Sequence, residues 1–209
     1  MKKEVLVALA IGAGMAVASV PASAYEGGDW RTTIGMTNVA PDSTNGDTAV
    51  GDLKVDDATQ LSFTGAYFFT DSFAVELLAS LPFQHDVKVG GLSGVTTKHL
   101  PPTLDLQWYF NNSSPITPYI GAGVNWTTFF RTTSYGEVAG AFPGTKIEID
   151  DSFGYALQAG LDYAFTENLF MNVDFRYISI ESDVKAGGAK IGKAEINPTT
   201  VGVSLGYRF

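Results

Sequence analysis

From Asp29 to the C-terminus the sequence alternates residue by residue, in runs of about ten, and the same face of every run is bulky, apolar and free of charge. We count eight such runs: Asp29 to Asn38, Thr59 to Phe69, Phe73 to Gln84, His99 to Phe110, Tyr119 to Arg131, Ser152 to Phe165, Leu169 to Glu181 and Asn197 to Phe209. Ile34 and Met36, Leu61 and Phe63, Val75 and Leu77, Leu104, Leu106 and Trp108, Leu157 and Leu161, Val173 and Phe175, and Val203 and Leu205 illustrate the apolar face. The other face holds Arg31, Glu76, Asp105, Arg131, Asp162, Asp174, Arg176 and Arg208 among Gly, Ser, Thr, Gln and Asn. A soluble barrel buries its larger apolar set and wets its polar one, but a charged, small-residue face makes no dry core. Inverting the barrel removes the conflict, with lipid outside and the polar face inside. The expectation is therefore an all-β fold, an eight-stranded antiparallel up-and-down transmembrane β-barrel.

Size agrees with that expectation. A strand of about eleven residues, rising ~3.3 Å each and tilted ~40°, spans roughly 28 Å, close to the apolar band of an outer-membrane barrel. Charged residues make up 17 % of the chain, below the roughly 25 % of soluble domains. There is no cysteine, so disulfides, thiolate nucleophiles and Cys-ligated metals are excluded. The net charge of −9 offers no basic surface to phosphates and argues against nucleic-acid partners.

The first 24 residues read as a secretory signal peptide. Lys2 and Lys3 precede an uncharged stretch from Val5 to Val20, and Ala22-Ser23-Ala24 supplies the small residues of a cleavage site. Residues 25–209 then form the barrel. Its connections alternate between short, at Thr70 to Ser72, Asn111 to Pro118 and Thr166 to Asn168, and long, at Ala40 to Ala58, His85 to Lys98, Thr132 to Asp151 and Ser182 to Ile196. Short turns face the periplasm in such barrels and long loops the exterior, so both termini are periplasmic. Aromatics cluster at both ends of the runs as interfacial girdles: Tyr67, Phe73 and Trp108 by the turns, Trp126, Phe153 and Tyr177 by the loops. The last run ends in Tyr207 and Phe209, a pattern resembling the signal read by the outer-membrane assembly machinery. Partners expected on these grounds are outer-membrane lipid and lipopolysaccharide, with periplasmic chaperones and that machinery during biogenesis.

Specific wording in the chain also resembles a known family. Val75-Glu76-Leu77-Leu78-Ala79, Leu100-Pro101-Pro102-Thr103, Gln107-Trp108-Tyr109-Phe110, Pro118-Tyr119-Ile120-Gly121-Ala122-Gly123 and the closing Gly206-Tyr207-Arg208-Phe209 are similar to segments of the OmpW family of small outer-membrane proteins, over nearly the whole mature chain. The resemblance implies an eight-stranded barrel associated with passage of small hydrophobic compounds, and small hydrophobic ligands as partners.

A barrel of eight strands is just wide enough for its own side chains, so no wide aqueous pore is expected. Arg31, Glu76, Asp105, Asp162, Asp174 and Arg208, helped by Arg176, are expected to form a hydrogen-bonded charge plug in the periplasmic half of the lumen, whether as packing or as a barrier. The outer half is less polar, with Phe129 in the lumen and Phe83, Leu100 and Phe142 nearby. Pro101 and Pro102 each lack an N–H, and consecutive prolines inside a strand interrupt its ladder. With Pro82 on the neighbouring strand they either loosen the wall into a lateral exit or merely bend a strand into its loop.

Other motifs carry less. Gly121-Ala122-Gly123 lacks the third glycine and the helix of a dinucleotide site. Asp42, Asp47, Asp52, Asp56 and Asp57 fit no Ca²⁺ loop spacing. His85 and His99, the two histidines, flank the second long loop without a legible third ligand or triad. No cofactor or metal is expected, and no enzyme. Because the family resemblance and the proline-interrupted wall agree, passage of hydrophobic molecules leads two other readings, a structural or adhesive barrel binding through its loops and a lipid-modifying enzyme.

Overall fold

The computed structural model describes residues 25–42, 47–48, 51–141 and 143–209; the expected signal peptide, residues 1–24, and Phe142 lie outside them. In chain order the strands are β1 (Trp30–Ala40), β2 (Asp47–Thr48), β3 (Gly51–Val55), β4 (Ala58–Phe68), β5 (Phe73–Ser80), β6 (Phe83–Val89), β7 (Leu92–Leu100), β8 (Thr103–Tyr109) and β9 (Ile116–Ser134). After a short helix α1 (Gly136–Ala141) come β10 (Ile147–Ile149), β11 (Ser152–Ala164), β12 (Leu169–Ile178), β13 (Glu181–Ala186), β14 (Ala189–Glu195) and β15 (Thr199–Arg208). No helix among the described residues is long and apolar enough to cross a membrane.

Eight strands close on themselves. Each of β1, β4, β5, β8, β9, β11, β12 and β15 pairs antiparallel with the next, and β1 closes the ring on β15 from Arg31 opposite Arg208 to Ala40 opposite Thr199. Closure removes the free edges that hydrocarbon cannot solvate. Alternation then sorts the side chains. On β8, Thr103, Asp105, Gln107 and Tyr109 are buried inward while Leu104, Leu106 and Trp108 are exposed. Outward-facing Ile34, Leu77, Leu157, Phe175 and Leu205 are each more than half exposed, an arrangement tolerable only against lipid.

The long connections differ from the expected polar loops. They fold into paired strands that raise a collar above the barrel, in the order β10, β13, β14, β2, β3, β6, β7, β9. Period-two alternation simply continues into them: Phe83, His85 and Val87 of β6 face in, and Gln84, Asp86 and Lys88 face out. Pairing satisfies backbone groups that open loops would leave to solvent, which is how Gly-rich, polar stretches still become strands.

Two apolar clusters bracket the lumen. Tyr25, Phe68, Tyr109 and Tyr119 form an aromatic floor at the periplasmic end, with Ala66 and Ala74 beside them. Leu53, Val87, Val95, Ile178, Val184 and Ile196 belong to a second cluster inside the collar. Polar chemistry lies between.

Candidate functional site

The middle of the lumen is a closed ion network. Arg31 donates through Nε and Nη2 to Asp162 at 2.9 and 2.8 Å, and through Nη1 to Glu76 Oε2 at 2.9 Å. Arg176 donates through Nη2 to the other Glu76 oxygen at 2.6 Å, through Nε to Asp174 at 2.9 Å, and through Nη1 to Asp105. Glu76 thus bridges two guanidiniums from opposite sides, and Arg31, Arg176 and Glu76 are all nearly inaccessible. Two guanidiniums face four carboxylates, so neutral donors matter as well. Tyr25 donates to Asp162 at 2.6 Å, Asn172 to Asp162 at 2.8 Å, and Gln158 to Tyr119 at 3.3 Å. Arg31 also lies 4.9 Å from the centre of the Phe170 ring, a cation–π contact.

Of the residues expected in the plug, the structure brings six together: Arg31, Glu76, Asp105, Asp162, Asp174 and Arg176. Arg208 stands apart at the periplasmic rim, 3.8 Å from Asp29 and over the Tyr25 ring. Tyr119, Gln107, Gln158 and Asn172 complete the network, although sequence reasoning named none of them as members. Their only signal was inward parity on alternating strands.

Above the plug a polar layer repairs the proline break. Asn125 Nδ2 donates to the carbonyls of Pro101 and Pro102, each at 3.1 Å, and to Thr103 Oγ1 at 2.9 Å, while Thr127 donates to Asn125 at 2.7 Å. Toward β9 the register runs straight through the prolines, from Thr103 opposite Asn125 to Leu100 opposite Thr128, with Trp126 N bonded to Pro102 O. Toward β5 and β6 it does not. That ladder stops at Leu78 opposite Thr103 and resumes at Phe83 opposite His99. On the other flank, the ladder holds as far as Leu81 N to Leu61 O and resumes at Asp56 N to Asp86 O. Pro82 therefore sits between two interruptions of the ladder.

The collar encloses an apolar chamber. Its lining includes Leu53, Val87, Val95, Val184 and Ile196, together with His85, His99 and Phe129, around an enclosed volume of about 30 Å³, the scale of a single water. The two histidine rings lie parallel, centroids 4.9 Å apart at 9°, with Phe83 stacked on His99 at 5.4 Å and Phe129 tilted against it at 5.7 Å. His85 Nδ1 lies 2.6 Å from the carbonyl of Asp56. A carbonyl only accepts, so Nδ1 holds the proton and Nε2 is left as a bare acceptor. His85 Nε2 and both nitrogens of His99 are buried with no partner among the described residues. Burial pushes His85 down from its ordinary value, and burial together with the neighbouring His85 lowers His99 to about 3. Both rings are neutral at neutral pH.

Of the expected exit residues, Phe83 and Pro101 are buried, Pro82, Leu100 and Phe129 half-buried, and Pro102 exposed; Phe142 lies outside the described residues. Tyr207 and Phe209 are exposed on the lipid face near the periplasmic end, their rings 5.0 Å apart. Sequence reasoning gave the histidines no place in the chamber. Their signal was the alternation Phe83, His85, Val87 and Val95, Thr97, His99, masked because the segment reads as a loop.

The sequence matches the profile of the OmpW family over residues 26–209. It is 36 % identical over 220 residues to outer membrane protein W of Vibrio cholerae, covering 99 % of this chain and 100 % of that one. Among solved structures, that of the outer membrane protein OprG from Pseudomonas aeruginosa superposes with a TM-score of 0.79 at 32 % identity, covering 88 % of this chain and 97 % of OprG. A more distant relative, 26 % identical over 193 residues and covering 86 % of this chain and 88 % of its own, is the dibenzothiophene metabolism operon protein PahQ of Pseudomonas aeruginosa.

Proposed function

The chain belongs to the OmpW family of outer-membrane barrels, and from that premise we propose that it gives small hydrophobic molecules passive passage, in from the exterior and out sideways into the membrane. Membership settles the location as the bacterial outer membrane and the class as a barrel protein and not an enzyme. The observation that carries the finer reading is the contrast along the lumen. An apolar solute finds apolar walls in the collar, then meets a packed layer of paired charges it cannot solvate. Straight passage ends there. The doubly interrupted ladder around Pro82, opposite Pro101 and Pro102, offers the way out. PahQ, named for the metabolism of an apolar aromatic, supports the same class of cargo.

The test is to replace Pro101 with Val and Pro102 with Thr, restoring N–H donors to the wall. Initial uptake of a hydrophobic solute by cells carrying the variant should fall severalfold against the wild-type barrel at equal surface expression. Unchanged uptake would refute the lateral exit. In the same spirit we read Tyr207 and Phe209 as the segment that the assembly machinery engages, outward-facing and next to the closing seam between β15 and β1.

A further inference from the structure

We propose that the chamber lined by His85 and His99 is a binding site selective for small, largely apolar molecules that carry one hydroxyl, phenols above all, over bare hydrocarbons of equal size. The inference rests on the passage reading and names its cargo. Three ring nitrogens in this chamber have no hydrogen-bond partner among the described residues, and each histidine is 2 % exposed. Everything else around them is aliphatic or aromatic, apart from Thr97. His85 presents a bare acceptor, because its proton is held by the carbonyl of Asp56. His99, neutral and unanchored, presents one donor and one acceptor in either tautomer. A hydroxyl answers such a set on both counts, donating to one ring and accepting from the other.

A hydrocarbon entering the chamber leaves every one of those nitrogens without a partner and shuts out the water that could serve them. A site arranged to hydrogen-bond a hydroxyl rejects the analogue lacking it more strongly than an apolar pocket distinguishes sizes. The stacked arrangement of Phe83, His99 and Phe129 further holds the His99 ring in place. A phenol exceeds the enclosed volume of about 30 Å³, so its entry displaces the lining. Apolar contacts re-form around such a guest without directional cost, whereas the ring nitrogens need a specific partner.

The experiment compares 4-methylphenol with 1,4-dimethylbenzene, which differ by a hydroxyl in place of a methyl. Initial uptake of both is measured in cells carrying wild-type barrel, His99→Phe, His99→Gln or no barrel, and the histidine ring resonances of the protein in lipid nanodiscs are followed as each compound is added. The wild type should favour the phenol by about tenfold, the equivalent of one good polar contact. His99→Phe, which keeps the aromatic packing, should lose that preference by slowing phenol uptake more than hydrocarbon uptake, and His99→Gln should keep part of it. Equal preference in wild type and His99→Phe overturns the inference while leaving passage intact. If neither compound enters faster than in cells without the barrel, the passage reading fails, and the nanodisc titration decides the site alone. Ring shifts with the phenol and not the hydrocarbon uphold it, and absent shifts overturn it.

Discussion

The plug sits among the eight barrel strands and the chamber among the collar strands that continue them, yet the two levels handle buried polarity in opposite ways. Below, Glu76 is held by two guanidiniums, and Asp162 by Arg31, Tyr25 and Asn172 together. Above, three imidazole nitrogens in an apolar chamber have no partner among the described residues. The lower arrangement is directional and mutually dependent, so it seals. The upper one is built from contacts that any apolar guest can replace, so it yields. Alternation decides only which side chains point inward; their identity decides whether a level of the barrel is a lock or a room.

The largest effect should come from breaking the lock. Arg176→Met keeps the bulk of the stem but removes the partner shared by Glu76, Asp105 and Asp174. Losing one side of a buried pair costs about 3–5 kcal/mol, because the remaining charge stays desolvated. The midpoint of urea unfolding from lipid vesicles should drop accordingly, and an unshifted midpoint would mean that the network is wetter than its burial implies. The comparison is sharpened by Asn125→Leu at the boundary. Asn125 bonds the carbonyls of both Pro101 and Pro102, which Thr103 Oγ1 and Trp126 N also reach, so its loss should cost only about 0.5–1.5 kcal/mol by the same assay.

The sequence announced the barrel more clearly than its contents. Strand number, closure and inward parity follow from Leu104, Leu106 and Trp108 against Thr103, Asp105 and Gln107, since lipid tolerates only one assignment. The charged members of the plug were legible because buried charge on an inward face demands a partner, yet which arginine reached which acid depended on barrel diameter and stagger. Arg208 shows the limit: it has inward parity, but it stands at the rim, too near the strand end to reach the centre. The collar was the least legible region. Gly90-Gly91 and Gly187-Gly188, all with positive φ, turn its hairpins tightly, and the polar outward faces of β6 and β13 disguise strands as loops. Hidden with them was the chamber, because His85 and His99 meet only once those hairpins pair.

The smallest predicted effect probes the yielding half. His85 and His99 lie above the membrane girdle, where pH reaches the collar, and both titrate below their ordinary value because burial disfavours the charged ring. A collar that opens exposes them to water and restores an ordinary affinity for protons, near pH 6.5. The open form therefore binds more protons than the closed one as pH falls, so collar stability is complete above about pH 6.5 and declines steadily toward the value of about 3 at which closed His99 itself protonates. The charges nearest His85, on Asp56, Asp57 and Asp86, oppose the shift in that ring and leave His99 as the main contributor. Amide exchange, corrected for its intrinsic pH dependence, should then quicken in β6 and β7 on acidification while the spanning strands β11 and β12 hold, and His99→Phe should flatten the response. Exchange that rises equally in collar and barrel would show that the two halves open as one body.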